Sequence, residues 1–187
     1  RFLFSCLVDA DYTAAASYGK SVTEIIDNDA ILNAGVSFDK LMGFRKEIIS
    51  KSHDNEKLNY LRNLVYNDCV SAANRLPGLF TLTAPTGLGK TLSLLAFALR
   101  HAEKNGMRRI IIVLPYLSII EQNAEIYRRI SPELIEDHSQ NRLTEEQRDF
   151  AQRWSASIII TTSVKFFETF FKSQAPDNRK LHNIAGS

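Results

Sequence analysis

The chain has 187 residues, 44% of them hydrophobic and 24% charged, with 23 Lys+Arg against 21 Asp+Glu for a net charge of +2. That composition belongs to a globular protein and excludes a collagen-like repeat, a disulfide scaffold and a charge-swollen disordered chain. Near-neutral charge gives no support to a chain-wide basic nucleic-acid binder, but leaves room for a local basic groove.

The chain opens on Arg1 and runs straight into Phe2-Leu3-Phe4, as if cut from something longer. Phe2, Phe4, Leu7 and Val8 follow helical spacing, Asp9-Ala10-Asp11-Tyr12 continues or ends that helix, and residues 13–19 read as a loop. Ser37 is placed to cap a helix carrying Phe38, Leu41, Phe44, Ile48 and Ile49. Asp54 is placed to cap another carrying Leu58, Leu61, Leu64, Val65 and Cys69. Pro77-Gly78 breaks that helix, and no strand signal precedes it.

Beyond Gly78 the texture changes. Residues 79–83 read as a short strand, and residues 91–104 as a helix closed by Asn105-Gly106. Ile110-Ile111-Ile112-Val113-Leu114 has the continuous apolar character of a strand buried on both faces, ended by Pro115. A helix over 117–130 and a short strand at Leu134-Ile135 follow. The capping box Thr144-Glu145-Glu146-Gln147 opens another helix, before a strand over 157–162 and a helix over 164–171. Strand alternating with helix predicts an α/β fold, a parallel sheet wrapped by helices.

Cys6 and Cys69 form no CxxC and no metal-ligand spacing, and read as buried thiols of a reducing compartment. No secretory leader is visible, and the longest apolar runs fall far short of the ~20 residues that cross a bilayer. A cytoplasmic protein with no membrane partner is expected.

The sharpest motif is Ala84-Pro85-Thr86-Gly87-Leu88-Gly89-Lys90-Thr91, between a predicted strand and a predicted helix. Glycines there turn backbone N–H groups inward, and the helix N-terminus adds positive character. A lysine at the end of such a loop reaches β and γ phosphates, and the next hydroxyl meets Mg²⁺. Thr86, Gly87, Leu88, Gly89, Lys90 and Thr91 are therefore the expected ATP and Mg²⁺ contacts, with Lys90 catalytic. Ala84 stands where the usual pattern has its first glycine, a departure common in helicases. Arg100, His101, Lys104, Arg108 and Arg109 cluster near a helix end, where cations complement the helix dipole; this reading is preferred over a nucleic-acid contact.

The ordered motifs across residues 59–162 resemble the helicase core of the CRISPR-associated superfamily 2 helicase-nucleases of type I systems. The resemblance rests on residues 79–91 as strand plus phosphate loop, and on Pro115-Tyr116-Leu117-Ser118-Ile119-Ile120-Glu121-Gln122 after a buried strand. It rests also on Asp137-His138-Ser139, and on Ile158-Ile159-Ile160-Thr161-Thr162. It implies a RecA-like P-loop NTPase fold, a truncated first helicase domain over 57–187. It implies single-stranded DNA held by Pro115, Gln122, Thr161 and Thr162, mainly through phosphate oxygens. Each of these residues has a plainer reading as a strand end, a cap or a surface residue. Asn59 to Arg62 resembles the Asn-x-x-Arg segment ahead of the phosphate loop in that family, where a contact to the nucleotide is as open as a plain helix surface.

The same resemblance implies that residues 1–20 are the end of an HD-type nuclease domain, joined by a helical segment over 21–56. Its late metal-binding aspartate falls on Asp11, with Asp9 second, toward a divalent transition metal. His53-Asp54 spells the metal dyad but stands after the late aspartate rather than before it, and reads as a cap. His138 and His182 are isolated, and no nucleophile triad is suggested by position. The implied partners are single-stranded DNA and an RNA-guided CRISPR surveillance complex. Alternatives are another superfamily 2 DNA or RNA helicase without a nuclease, or a non-motor P-loop NTPase; the Pro115 to Gln122 segment and the Thr161-Thr162 pair weigh against the latter.

An acidic box that holds Mg²⁺ and polarises the attacking water is expected after the Thr161-Thr162 strand in this class, and the sequence stops at Ser187 without one. Glu136-Asp137-His138 imitates it but comes too early. The isolated chain is therefore expected to bind ATP weakly, and to show neither brisk DNA-stimulated ATP hydrolysis nor DNA cutting. Phosphate release measured with and without single-stranded DNA checks this.

Overall fold

The computed structural model describes residues 1–16, 18, 31–51, 56–138, 151–172, 175–185 and 187. The proposed caps Asp54 and Thr144, the His53-Asp54 pair, Ser139 and most of the segment after Ala16 lie outside the described residues.

Helix α1 spans Phe2–Ala16, α2 Ala34–Lys51, α3 Glu56–Ala72 and α4 Lys90–Asn105. Strand β1 spans Ile110–Leu114, α5 Leu117–Arg128, β2 Ile135–Asp137 and β3 Ile158–Thr162. Helix α6 spans Ser163–Phe171, α7 Ala175–Asn178 and α8 Leu181–Ile184, and residues 151–153 are also helical. The sheet is parallel, in the order β1-β3-β2. Ile110 to Leu114 pair in register with Ile158 to Thr162, and Ile135 to Asp137 with Ile159 to Thr161. The fold class is thus α/β, a parallel sheet with its own helices, preceded by a run of helices.

β3 sets the layering. Successive strand residues point to opposite faces. Ile158 and Ile160 enter one core with Leu41 of α2, Leu95 and Leu99 of α4 and Ile120 of α5. Ile159 enters a second core with Ile135, Ala151 and Trp154. Helices therefore cover both faces, as a parallel sheet requires.

Several local expectations are corrected. α1 runs through Ala16, so residues 13–16 are helix rather than loop: Ala14-Ala15-Ala16 is a run of the best helix former. The cap of α2 is Asn33, whose Oδ1 accepts the Val36 N–H at 3.2 Å. Ser37, the predicted cap, is buried inside the helix. Residues 79–83 do not join the sheet. Their burial alternates as a strand's would, Phe80 and Leu82 half-buried against exposed Leu79, Thr81 and Thr83. Alternation reports a face, whereas a strand also needs a partner backbone. Here the stretch is held by side chains instead, with the Phe80 ring edge-on to Phe97 at 4.9 Å and to His101 at 5.4 Å. β1 is only half-buried beyond Ile110; the strand closed on both faces is β3.

The fold separates two leucines sharply. Leu99 is fully buried, while Leu79 is 96% exposed. Urea unfolding should show a loss of about 2–5 kcal/mol for Leu99→Ala and a change within about 0.5 kcal/mol for Leu79→Ala.

Candidate functional site

The phosphate-type loop is built at the start of α4. Gly89 caps the helix at φ 73°, and Gly87 sits at φ 83°, both left-handed. A Cβ at either would meet nothing within 4 Å, so glycine is required for its backbone freedom rather than for space. Leu88 between them is buried. The Lys90 ammonium folds back along the loop, donating to the Ala84 carbonyl at 2.7 Å and the Pro85 carbonyl at 3.1 Å. Ser93 Oγ ties the first turn by donating to the Gly89 carbonyl at 3.0 Å. Thr91 follows in the same turn, its carbonyl accepting the Tyr127 hydroxyl at 3.3 Å. Burial pushes that tyrosine's pKa far up, so it stays a neutral donor.

Beside the loop lies a cleft of about 270 Å³, lined among others by Arg45, Ile49, Asn59, Arg62, Tyr66 and Gly87. Arg62 Nε donates to the Gly87 carbonyl at 3.0 Å, and its Nη1 reaches Asn59 Oδ1 at 3.4 Å. The Arg45 guanidinium stacks on Tyr66, 3.9 Å from the ring centre, and donates to Asn63. Burial raises the Tyr66 pKa despite Arg45 and Arg100 nearby, and its hydroxyl donates to Met42 Sδ at 2.8 Å. Asn59 and Arg62 were marked in the sequence. Arg45 and Tyr66 were not, because their only signal is helical periodicity in a different layer. Left-handed glycines, a helix N-terminus and a lysine converging on one loop fit a nucleotide's phosphates.

A second group gathers at the carboxyl ends of the strands. Leu114 pairs with Thr162, which sets exposed Pro115 just beyond that rung. The Thr162 side chain accepts the Lys165 N–H at 3.1 Å and caps α6. Thr161 is fully buried, its hydroxyl donating to the Asp137 carbonyl at 2.7 Å. Gln122 is exposed in the second turn of α5. The strand ends thus bring Pro115, Thr161 and Thr162 together, with Gln122 further along the adjoining helix.

On α1 the two aspartates part company. Asp9 is buried, with Oδ1 accepting from Arg179 Nε at 2.9 Å and Oδ2 from Arg153 Nε at 3.0 Å. Asp11, two residues on and so across the helix, is exposed. No group of three or more His, Cys, Asp or Glu able to hold a metal occurs among the described residues. Asp11 offers a single carboxylate, so these residues do not by themselves make a transition-metal site. His182, isolated in the sequence, meets Ser5 Oγ through Nδ1 at 3.0 Å and Asp9 through Nε2 at 3.6 Å. This is no nucleophile: Ser5 is fully buried and its hydroxyl donates to the Asn178 carbonyl.

The basic cluster near the end of α4 is engaged within the fold. His101 Nδ1 lies 2.9 Å from the Ala73 carbonyl, Lys104 donates to Asn74, and Arg100 pairs with Glu103 at 2.7 Å. Arg109 Nη1 donates to the Trp154 carbonyl at 2.7 Å. Cys69 is buried, which raises its thiol pKa and leaves it unreactive.

Residues 47–184 match the family model described as Type III restriction enzyme, res subunit. The chain belongs to this family. The match takes in α3, the phosphate-type loop and the whole sheet, so the res-subunit family assigns a superfamily 2 helicase-type domain to the elements described above. The chain is also similar to the CRISPR-associated nuclease/helicase Cas3 of Haloferax volcanii, at 30% identity over 136 aligned positions that take in 56% of this chain. The aligned stretch spans 14% of that relative's length. No helix among the described residues is long and apolar enough to cross a membrane.

The loop geometry gives a ligand-independent expectation. Gly89→Ala places a side chain at φ 73° without any collision, so denaturation should show a loss of roughly 1–2 kcal/mol from backbone conformation alone.

Proposed function

We propose that the chain is the nucleotide-cradling part of an ATP-dependent helicase that translocates on single-stranded DNA. In this reading its parent carries an HD-type DNA nuclease and acts in the cytoplasm, in CRISPR interference beside an RNA-guided surveillance complex. The observation that carries the motor half is the loop of residues 84–91, with its two left-handed glycines, in a chain of the res-subunit family. The nuclease and CRISPR half rests on the similarity to the Haloferax relative and on the exposure of Asp11.

In this role the N–H groups of residues 86–89 and the amino end of α4 hold the phosphates. Lys90 leaves the Ala84 and Pro85 carbonyls to meet the β and γ oxygens. Thr91 supplies a hydroxyl to Mg²⁺, and Arg62 braces the loop through Gly87. ATP with Mg²⁺ supplies the phosphoryl chemistry that drives movement. Pro115, Gln122, Thr161 and Thr162 offer backbone and side-chain groups to DNA phosphates; those of Thr161 act through the backbone, since its hydroxyl is committed to Asp137. Asp11 serves as one ligand of a divalent transition metal whose other ligands lie outside the described residues. The 187 residues alone hold nucleotide without brisk turnover.

A second reading is a superfamily 2 helicase without a nuclease, since the family match over residues 47–184 supports the helicase-type domain by itself. Two variants test these readings, the first the motor common to both and the second the nuclease that separates them. Lys90→Ala should weaken binding of a fluorescent ATP analogue to the chain by roughly 10–100-fold, the worth of a charge-assisted bond to phosphate, and should abolish ATP-driven unwinding by the parent. Asp11→Ala should abolish metal-dependent cutting by the parent and spare its ATPase. Intact cutting by Asp11→Ala would remove this segment from the nuclease site, and a parent that hydrolyses ATP but cuts no DNA with any divalent metal would leave the second reading standing.

A further inference from the structure

Arg179 and Lys180 are adjacent cations in the sequence. They occupy the turn between α7 and α8, and both are buried, at 5% and 7% exposure. Each meets a carboxylate from a different part of the molecule. Arg179 Nε bonds Asp9 of α1 at 2.9 Å, and its Nη1 bonds Gln152 at 3.1 Å. Lys180 Nζ donates to Asp137 at the end of β2 and lies 4.9 Å from the centre of the Trp154 ring. The same Asp137 oxygen accepts Trp154 Nε1 at 2.7 Å, and its other oxygen faces Lys165 Nζ at 3.6 Å. Asp9 and Asp137 are each only 5% exposed. Charges so far from water are costly when either partner is lost.

The two cations are adjacent in the chain, so a shift of the turn that carries one carries the other. α1 packs on α7 and α8, with Ser5 bonded to Asn178 and to the His182 N–H at 3.0 Å. On the opposite side the Asp137 carbonyl orients the Thr161 hydroxyl. A continuous buried polar path therefore runs from α1 through Asp9, Arg179, Lys180 and Asp137 to the end of β3.

We propose that Arg179 and Lys180 are positioning residues, a two-sided clasp that ties α1 to the strand ends so that each holds the other in place. What the two ends do, with Asp11 on the nuclease side and Thr161 and Thr162 on the DNA side, rests on the function proposed above. The clasp itself does not.

Amide hydrogen exchange on the 187-residue chain tests it. Asp9→Asn should speed exchange across α1 by roughly tenfold or more, and leave the amides of α4 within about twofold. Asp137→Asn, made on the sheet side, should speed α1 as well. The double variant should fall short of the product of the two factors by roughly threefold or more, since one clasp is opened by either change. Three results overturn the proposal: α1 untouched by Asp137→Asn, factors that simply multiply, or α4 loosened as much as α1. Should Asp9→Asn unfold the chain, Arg179→Lys takes its place, keeping the charge and losing the guanidinium fork, and the same results decide. Multiplying factors would remove the clasp and leave the nuclease reading standing. Intact cutting by Asp11→Ala would remove this segment from the nuclease site and leave the clasp standing.

Discussion

β3 has no solvent face, and this constraint organises the molecule. Ile158 and Ile160 serve one core and Ile159 the other, so helices must close over both sides. Three identical side chains in a row also deprive the strand of its usual register signal. Where one face is polar, a one-residue slip is punished at once; here a slip exchanges isoleucine for isoleucine. Register must come from the ends. At one end the Ile110 N–H donates to the Ser157 carbonyl at 2.9 Å. At the other, Thr161 is bonded to Asp137, and Thr162 caps α6 through the Lys165 N–H. The residues that lock the sheet are the same ones that stand at its carboxyl edge.

The phosphate-type loop depends on this arrangement indirectly. α4 is held by Leu95, Ala96 and Leu99 against the core that β3 feeds, and that anchoring fixes where its amino end points. α2 and α3 then build the wall of the adjoining cleft. Arg62 crosses from α3 to the Gly87 carbonyl, and the stacked pair of Arg45 and Tyr66 stiffens the surface behind it. The loop is thus backed by two layers, one from each side of Pro77-Gly78.

What could be read from the sequence divides by range. The loop of residues 84–91, the closure of α4 at Gly106, β1, α5 and β3 are local patterns, and all appear where periodicity and capping rules put them. Long-range partners were not legible. Nothing near residue 9 announces that its carboxylate will meet Arg153 and Arg179, and nothing near Asp137 announces Lys180. The same limit explains residues 79–83, whose alternation is real but whose strand identity depended on a neighbour elsewhere in the chain. Asp9 and Asp11 illustrate the point at close quarters. They are equivalent as sequence, and the helix sends one into an ion pair and the other to the surface.

Trp154 is the single tryptophan of the sequence. It is fully buried in a left-handed conformation at φ 54°, with its indole N–H on Asp137 and the Lys180 ammonium against its ring. A charge so close to an indole shifts the energy of its excited state, and loss of burial shifts it again. The chain therefore carries its own optical reporter, whose emission wavelength follows the contact between α1's anchor and the sheet without any introduced label.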